Sequence, residues 1–141
     1  MRILILCTGN SCRSQMAEAL LRSFDDRLEV YSAGTFPSNE VHPKANQVMA
    51  EIFINIGDYM PKDVKKYIDQ SFDYVITVCG NAKETCPVFM GDVKERRHIG
   101  FEDPAEAEGT EEEVIKVFRE VRDLIKKDFY YFYLNEIKDK L

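Results

Sequence analysis

A cysteine and an arginine six positions apart bracket the segment Cys7-Thr8-Gly9-Asn10-Ser11-Cys12-Arg13-Ser14. In a tight loop of this kind successive backbone N–H groups can turn inward and form a concave nest for an anion. A helix starting at its end adds unpaired N–H groups and the positive end of a dipole. Arg13 supplies a planar fork of donors that matches a tetrahedral oxyanion. The same surroundings favour thiolate over thiol at Cys7 and make it the candidate nucleophile. Thr8, Gly9, Asn10, Ser11, Cys12, Arg13 and Ser14 are the candidate anion cradle, with Cys12 reading as loop packing close enough to Cys7 for an off-path disulfide. A plain turn around a buried cysteine would need neither the arginine nor the two hydroxyls.

Attack by Cys7 on phosphate would give a phosphocysteine that water can hydrolyse, and attack on arsenate would give an arseno-cysteine. Either way an oxygen must leave, and Asp103, in the turn before Pro104, is the candidate acid. Cys79 and Cys86 bear on which outcome follows. A helix would hold residues seven apart at about 10 Å, beyond the roughly 7 Å that a disulfide tolerates between α-carbons. Local unwinding, for which Gly80, Asn81 and Pro87 are suited, would permit the bond. A relay then becomes conceivable: Cys79 attacks the sulfur of the Cys7 adduct, and Cys86 attacks Cys79 and carries the oxidation outward. Such a relay needs residues 79 to 91 to move. The alternative is that Cys79 and Cys86 are small buried hydrophobes. A zinc site fits poorly, because the four cysteines lack paired ligand spacing and His42 and His98 are scattered.

The net charge of −6 argues against general attraction to nucleic acid, so an anionic ligand must be captured locally against the global field. That favours a small, deeply bound oxyanion. Arg96-Arg97-His98 lies amid acidic sequence and reads as a solvated face. No apolar run is long enough to span a bilayer, and the opening residues do not resemble a secretory leader, so we expect a cytoplasmic protein. In that setting cysteines point to catalysis or metal binding before structural disulfides.

The elements that position these residues follow from the apolar pattern. Arg2 to Leu6 reads as a buried strand, and Gln15 to Phe24 as a helix with Met16, Ala17, Leu20, Leu21 and Phe24 inward. Leu28 to Ser32 alternates as a second strand. Pro43 opens a helix whose stripe runs through Val48, Met49, Ile52, Phe53 and Ile56 to a stop at Gly57. A short helix is expected at Val64 to Ile68, a third strand at Asp73 to Val78, and a short fourth at Arg97 to Phe101. Thr110 and Glu113 form a capping box. Beyond it Val114, Val117, Phe118, Val121, Leu124, Ile125 and Phe132 trace a long amphipathic helix, with the aromatic cluster Phe129 to Tyr133 packing at its end. Alternating strands and helices in a single domain of 141 residues imply an α/β fold with a parallel sheet. The topology rule then puts Cys7, Cys79 and Asp103 on one rim, at the carboxyl ends of the strands.

The run from Cys7 to Glu18 resembles the opening of the thioredoxin-coupled arsenate reductases built on the low-molecular-weight tyrosine phosphatase fold. Tyr31-Ser32-Ala33-Gly34, His42-Pro43-Lys44-Ala45, Val78-Cys79, Cys86-Pro87 and Gly100-Phe101-Glu102-Asp103-Pro104-Ala105 resemble that family's later segments. The resemblance implies a four-stranded parallel sheet with helices on both faces in one domain, residues 1–141. It implies arsenate as substrate, phosphate or sulfate as analogues, and thioredoxin as reductant; some members of that family use a monovalent cation near the loop, and here we expect neither a metal site nor a cofactor. It also implies Cys7 as nucleophile, Arg13 as oxyanion clamp, Asp103 as acid, and Cys79 and Cys86 as the relay, in a protein we expect to be monomeric. The parent phosphatases generally place aromatic residues after the Asp-Pro pair, where Ala105-Glu106 stands here, and lack the cysteine pair. Hydrolysis of phosphotyrosine through a Cys7 phosphocysteine is thus the alternative, or a weak side activity. A non-catalytic oxyanion-binding or redox-sensing protein is a third reading.

Overall fold

The computed structural model describes residues 1–80 and 87–141. Four parallel strands, β1 (Arg2–Cys7), β2 (Glu29–Gly34), β3 (Ser71–Cys79) and β4 (Asp92–Phe101), form one sheet in the order β2-β1-β3-β4. The chain runs from β1 to one side and then crosses to the other, so the strand order reverses between β1 and β3. A crevice opens at such a point beyond the carboxyl ends of the strands, and the loop after β1 lies there.

Three helices cover one face: α1 (Arg13–Phe24), α2 (Pro43–Glu51) and α3 (Glu111–Phe132). Ile3, Ile5, Val30, Tyr74 and Ile76 meet Leu20, Met49 and Phe118 there in the larger hydrophobic cluster. The other face is thinner. Leu4, Leu6, Phe72 and Val75 pack under Tyr67, from a 3-10 helix at Val64–Tyr67, and under Phe89. With both faces covered, β1 is buried along nearly its whole length, as a central parallel strand must be. No helix among the described residues is long and apolar enough to cross a membrane.

The helix opened by Pro43 stops at Glu51, not at Gly57. Phe53 takes a left-handed conformation, φ 64°, and lets the Ile54 N–H reach back to the Met49 carbonyl at 3.0 Å. The turn swings Ile56 into the core from outside the helix. Position 53 thus plays the part that glycine usually plays past a helix end. β4 begins at Asp92, five residues earlier than the sequence pattern suggests, because its first half is an exposed, charged edge. The capping box at Thr110 and Glu113 is present. In α3 the inward stripe runs through Ile115, Phe118, Val121, Arg122, Ile125, Phe129 and Phe132, while Leu124 is half exposed at its margin. Within the aromatic cluster, Phe129, Phe132 and Tyr133 pack inward and Tyr131 faces solvent.

A left-handed backbone costs a residue with a β-carbon about 1–2 kcal/mol, partly offset by glycine's greater freedom in the unfolded chain. Phe53 is 97% exposed and contributes little packing in return. Phe53→Gly should therefore raise stability by about 0.5–1 kcal/mol in urea unfolding, and a destabilised variant would show that the turn does not limit α2.

Candidate active site

The loop after β1 owes its shape to what its carbonyls bond. The Thr8, Gly9 and Ser11 carbonyls accept hydrogen bonds from the N–H groups of Phe36, Ser38 and His42, each at 2.9 Å. A trans peptide places its C=O and N–H on opposite sides. Three outward carbonyls therefore turn the N–H groups of Gly9, Asn10 and Cys12 the other way. That of Asn10 points to Cys7 Sγ at 3.2 Å. The strap that holds the carbonyls comes in close at Gly34, where a β-carbon would lie 2.3 Å from the Thr8 oxygen. Only glycine fits.

Asn10 is the hub of the loop. It is fully buried with a left-handed φ of 51°, which asparagine tolerates better than most residues. Its Oδ1 accepts from the Lys62 backbone N–H at 2.8 Å and from Gln15 Nε2 at 3.0 Å. The backbone donor fixes the amide's orientation, so Nδ2 donates to Ser14 Oγ at 2.7 Å and Ser32 Oγ at 2.9 Å. Ser14 Oγ lies 2.9 Å from Cys7 Sγ. Having accepted from Asn10, it has its own proton to give to a thiolate. Two donors, one backbone and one hydroxyl, thus converge on the sulfur.

Cys7 sits at the base of a cleft of about 670 Å³ built by three loops at the carboxyl ends of the strands. The residues from Thr8 to Arg13 form its floor, Thr35, Phe36 and Ser38 one wall, and Asp103, Ala105 and Glu106 the other. Ser14 stands behind the floor, bonded to the sulfur. Arg13 opens α1 and is almost wholly buried. Its Nη1 donates to the Phe101 carbonyl at 3.2 Å, and its Nη2 lies 3.6 Å from Asp103 Oδ2. Asp103 is held in turn by the Ala105 N–H at 3.0 Å on its other oxygen. Candidate clamp and candidate acid therefore face each other across the mouth.

Cys79 is the last residue of β3, buried in the same hydrophobic cluster as Cys7 and Cys12. Leu6 pairs with Thr77, so two more residues bring β3 level with the start of the anion loop. The register with β4 shifts between Thr77 and Cys79, and Val78 and Cys79 both belong to the helix-side cluster. An unbroken alternation would have sent Cys79 to the opposite face from Val78. Gly80 makes the close passage possible, since a β-carbon there would lie 2.2 Å from the Phe101 oxygen. Cys86 lies outside the described residues. Past it, Pro87 lines the cleft and Phe89 is buried.

Sequence reasoning passed over the layer behind the loop. Ser32 Oγ donates to Glu18 Oε1 at 2.8 Å, and the buried Glu18 faces Lys62 and Arg22. One signal was present: Glu18 stands four residues after Ser14 on the inward face of α1, a charge where the pattern calls for an apolar side chain. Phe36, on the cleft wall, carried no signal of spacing at all.

Burial pushes the Cys12 thiol up to about 12, with Asp103 and Cys7 adding to the rise against a hydrogen bond from Ser11 and the charge of Arg13. The thiolate is the reactive form, and below that value Cys12 stays protonated. Iodoacetamide at about pH 8 should accordingly modify Cys7 and leave Cys12 untouched in peptide mass spectrometry, Cys12 reacting only as pH climbs toward 12. Equal labelling of the two at that pH would contradict the assignment of Cys12 to packing.

The chain matches the family described as low molecular weight phosphotyrosine protein phosphatase over residues 2–141. It is 48% identical over 126 residues to an arsenate reductase of Halalkalibacterium halodurans, an overlap covering 89% of each chain. Among solved structures, an arsenate reductase in a phosphate-binding state matches with a TM-score of 0.77 at 28% identity, covering 94% of this chain and 96% of that one. A thioredoxin-dependent arsenate reductase of Corynebacterium glutamicum matches with a TM-score of 0.61 at 28% identity, over 96% of this chain and 63% of that one. With an anion loop, its arginine and an Asp-Pro turn converging on one cysteine, and a family match spanning nearly every residue, the chain belongs to the low molecular weight phosphotyrosine protein phosphatase family of enzymes.

Proposed function

We propose that this protein reduces arsenate to arsenite, using Cys7, Cys79 and Cys86 in turn and a dithiol protein of the thioredoxin class as reductant. The observation that carries the reading is the burial of Cys79 in one cluster with Cys7, at the level where β3 reaches the anion loop. A phosphatase has no use for a second thiol there. The arsenate reductases to which the chain is similar support the substrate, and the thioredoxin-dependent one supports the reductant.

Arsenate settles in the loop against the inward N–H groups, and Arg13 takes two of its oxygens. The Cys7 thiolate attacks arsenic, and one oxygen leaves as water with a proton from Asp103. The Cys79 thiolate then attacks the Cys7 sulfur. The sulfur–arsenic bond breaks with its electron pair going to arsenic, which departs as arsenite, and a Cys7–Cys79 disulfide remains. Cys86 attacks the Cys79 sulfur and frees the Cys7 thiolate. The external dithiol reduces the Cys79–Cys86 bond, becoming a disulfide itself. One arsenate thus consumes one dithiol. We place the reaction in the cytoplasm, in a monomer whose single domain spans residues 1–141.

The cleft also supports a slow second activity on aryl phosphates. Phe36 is 79% exposed on the cleft wall, an apolar platform for a phenyl ring. That chemistry needs Cys7, Arg13 and Asp103 and no second thiol. Cys79→Ser separates the two readings. With thioredoxin, thioredoxin reductase and a nicotinamide donor, the parent enzyme should produce arsenite continuously. The variant should form the Cys7 adduct and release no arsenite, while retaining slow aryl phosphate hydrolysis. Multiple turnover of arsenate by Cys79→Ser would end the relay.

A further inference from the structure

Glu18 is buried, its side chain only 3% exposed, and a carboxylate so placed must be paired to stay charged. Among the described residues, Arg22 and Lys62 reach it. Arg22 Nη1 lies 3.4 Å from one oxygen and Lys62 Nζ 3.6 Å from the other. Arg22 is half exposed and spends its remaining donors on the Val30 carbonyl and the Tyr59 hydroxyl. The Lys62 ammonium instead sits among three oxygens, with Ser32 Oγ at 3.5 Å and the Met60 carbonyl at 3.2 Å besides Glu18.

We infer that the Lys62 ammonium is a positioning group for the Cys7 nucleophile, acting through the hydrogen-bond chain Glu18–Ser32–Asn10–Ser14. Each link in that chain has a fixed direction. Ser32 has one proton and gives it to Glu18, so its lone pairs face Asn10 Nδ2 and Lys62. Asn10 spends its two amide protons on Ser32 and Ser14, and Ser14 is left to donate to the sulfur. The chain keeps this sense while Glu18 Oε1 stands ready to accept from Ser32, and Lys62 Nζ, 3.6 Å from that same oxygen, holds it there. The lysine also donates its backbone N–H to Asn10 Oδ1, so one residue grips the network at both ends. Without the ammonium, the carboxylate turns toward Arg22, whose Nη1 already lies 3.4 Å from its other oxygen. Ser32 then loses its acceptor, the Asn10 amide loses a fixed partner, and donation from Ser14 to Cys7 is no longer enforced.

The inference rests on Cys7 as nucleophile and not on which oxyanion it attacks. Lys62→Ala removes the ammonium and keeps the backbone N–H. The readout is the rate of Cys7 alkylation by iodoacetamide at neutral pH, with the thermal midpoint measured alongside. The rate should fall about tenfold, the scale on which an outer supporting layer acts on a site. Methylammonium chloride should restore most of it by entering the vacated space beside Glu18 and Ser32, whereas tetramethylammonium chloride, too bulky to enter, should not. An unchanged rate would overturn the inference, and so would a lowered rate in folded protein that methylammonium does not restore. If Lys62→Ala does not fold, Lys62→Met keeps the stem's volume without the charge, and a parental alkylation rate in that variant would be equally decisive against it. Because alkylation needs no arsenate, failure of arsenate reduction by the parent enzyme would leave this result standing.

Discussion

A planar peptide group cannot bond a neighbour on one side without presenting its other half to the opposite side. At residues 8 to 12 that constraint is the origin of the site. The chain after β2 returns along the loop and takes three carbonyl oxygens, and the corresponding N–H groups are left facing the cleft. No charged side chain is needed to make that surface positive, and the start of α1 adds to it. The nest therefore depends on the passage at Gly34, where strap and loop come too close for any side chain. In an acidic protein, a backbone-built trap of this sort binds a small anion at short range without drawing polyanions from afar.

Helix α1 serves the site twice. Its first residue is Arg13, so the candidate oxyanion clamp is rooted at the positive end of the helix. Its inward face also carries Ser14, Gln15 and Glu18, polar side chains that would be costly in a core were they not bonded to Asn10, Ser32 and Lys62. Burial makes this network demanding, because each buried donor must find its acceptor within it. A nucleophile held by directed donors loses little freedom on reaching its transition state, which is where preorganised sites gain their rate. The second thiol is placed by a different device. A shift of register at the end of β3 and a glycine against the backbone of β4 bring Cys79 into the helix-side cluster that also holds Cys7.

Most of the sheet was legible from apolar runs. β1 and β3 are buried on both faces, and their hydrophobic stretches declare them. The reversal of strand order put Cys7, Cys79 and Asp103 on one rim before any distance was known. β4 was half hidden because Asp92, Lys94, Glu95 and Arg96 form a solvated edge with no apolar signature. The end of α2 was misplaced because Phe53 adopts a conformation that its residue type disfavours, so Gly57 looked like the natural stop. Leu124 joined the expected stripe of α3 by residue type, although the helix turns it to the margin. The layer behind the anion loop was illegible for another reason. Asn10, Glu18, Ser32 and Lys62 come from a loop, a helix, a strand and a second loop, and no local spacing announces their meeting.

Oxyanion protection of Cys7 tests the central claim most directly. Arsenate or phosphate bound over the loop must shield the sulfur, so alkylation by iodoacetamide should slow in a saturable way as either anion is added. Arg13→Lys, which keeps the charge and loses the fork, should weaken that protection severely. Alkylation of Cys7 that proceeds at the same rate whatever the arsenate concentration would contradict the account, since the inward N–H groups and Arg13 would then hold no anion above the thiol.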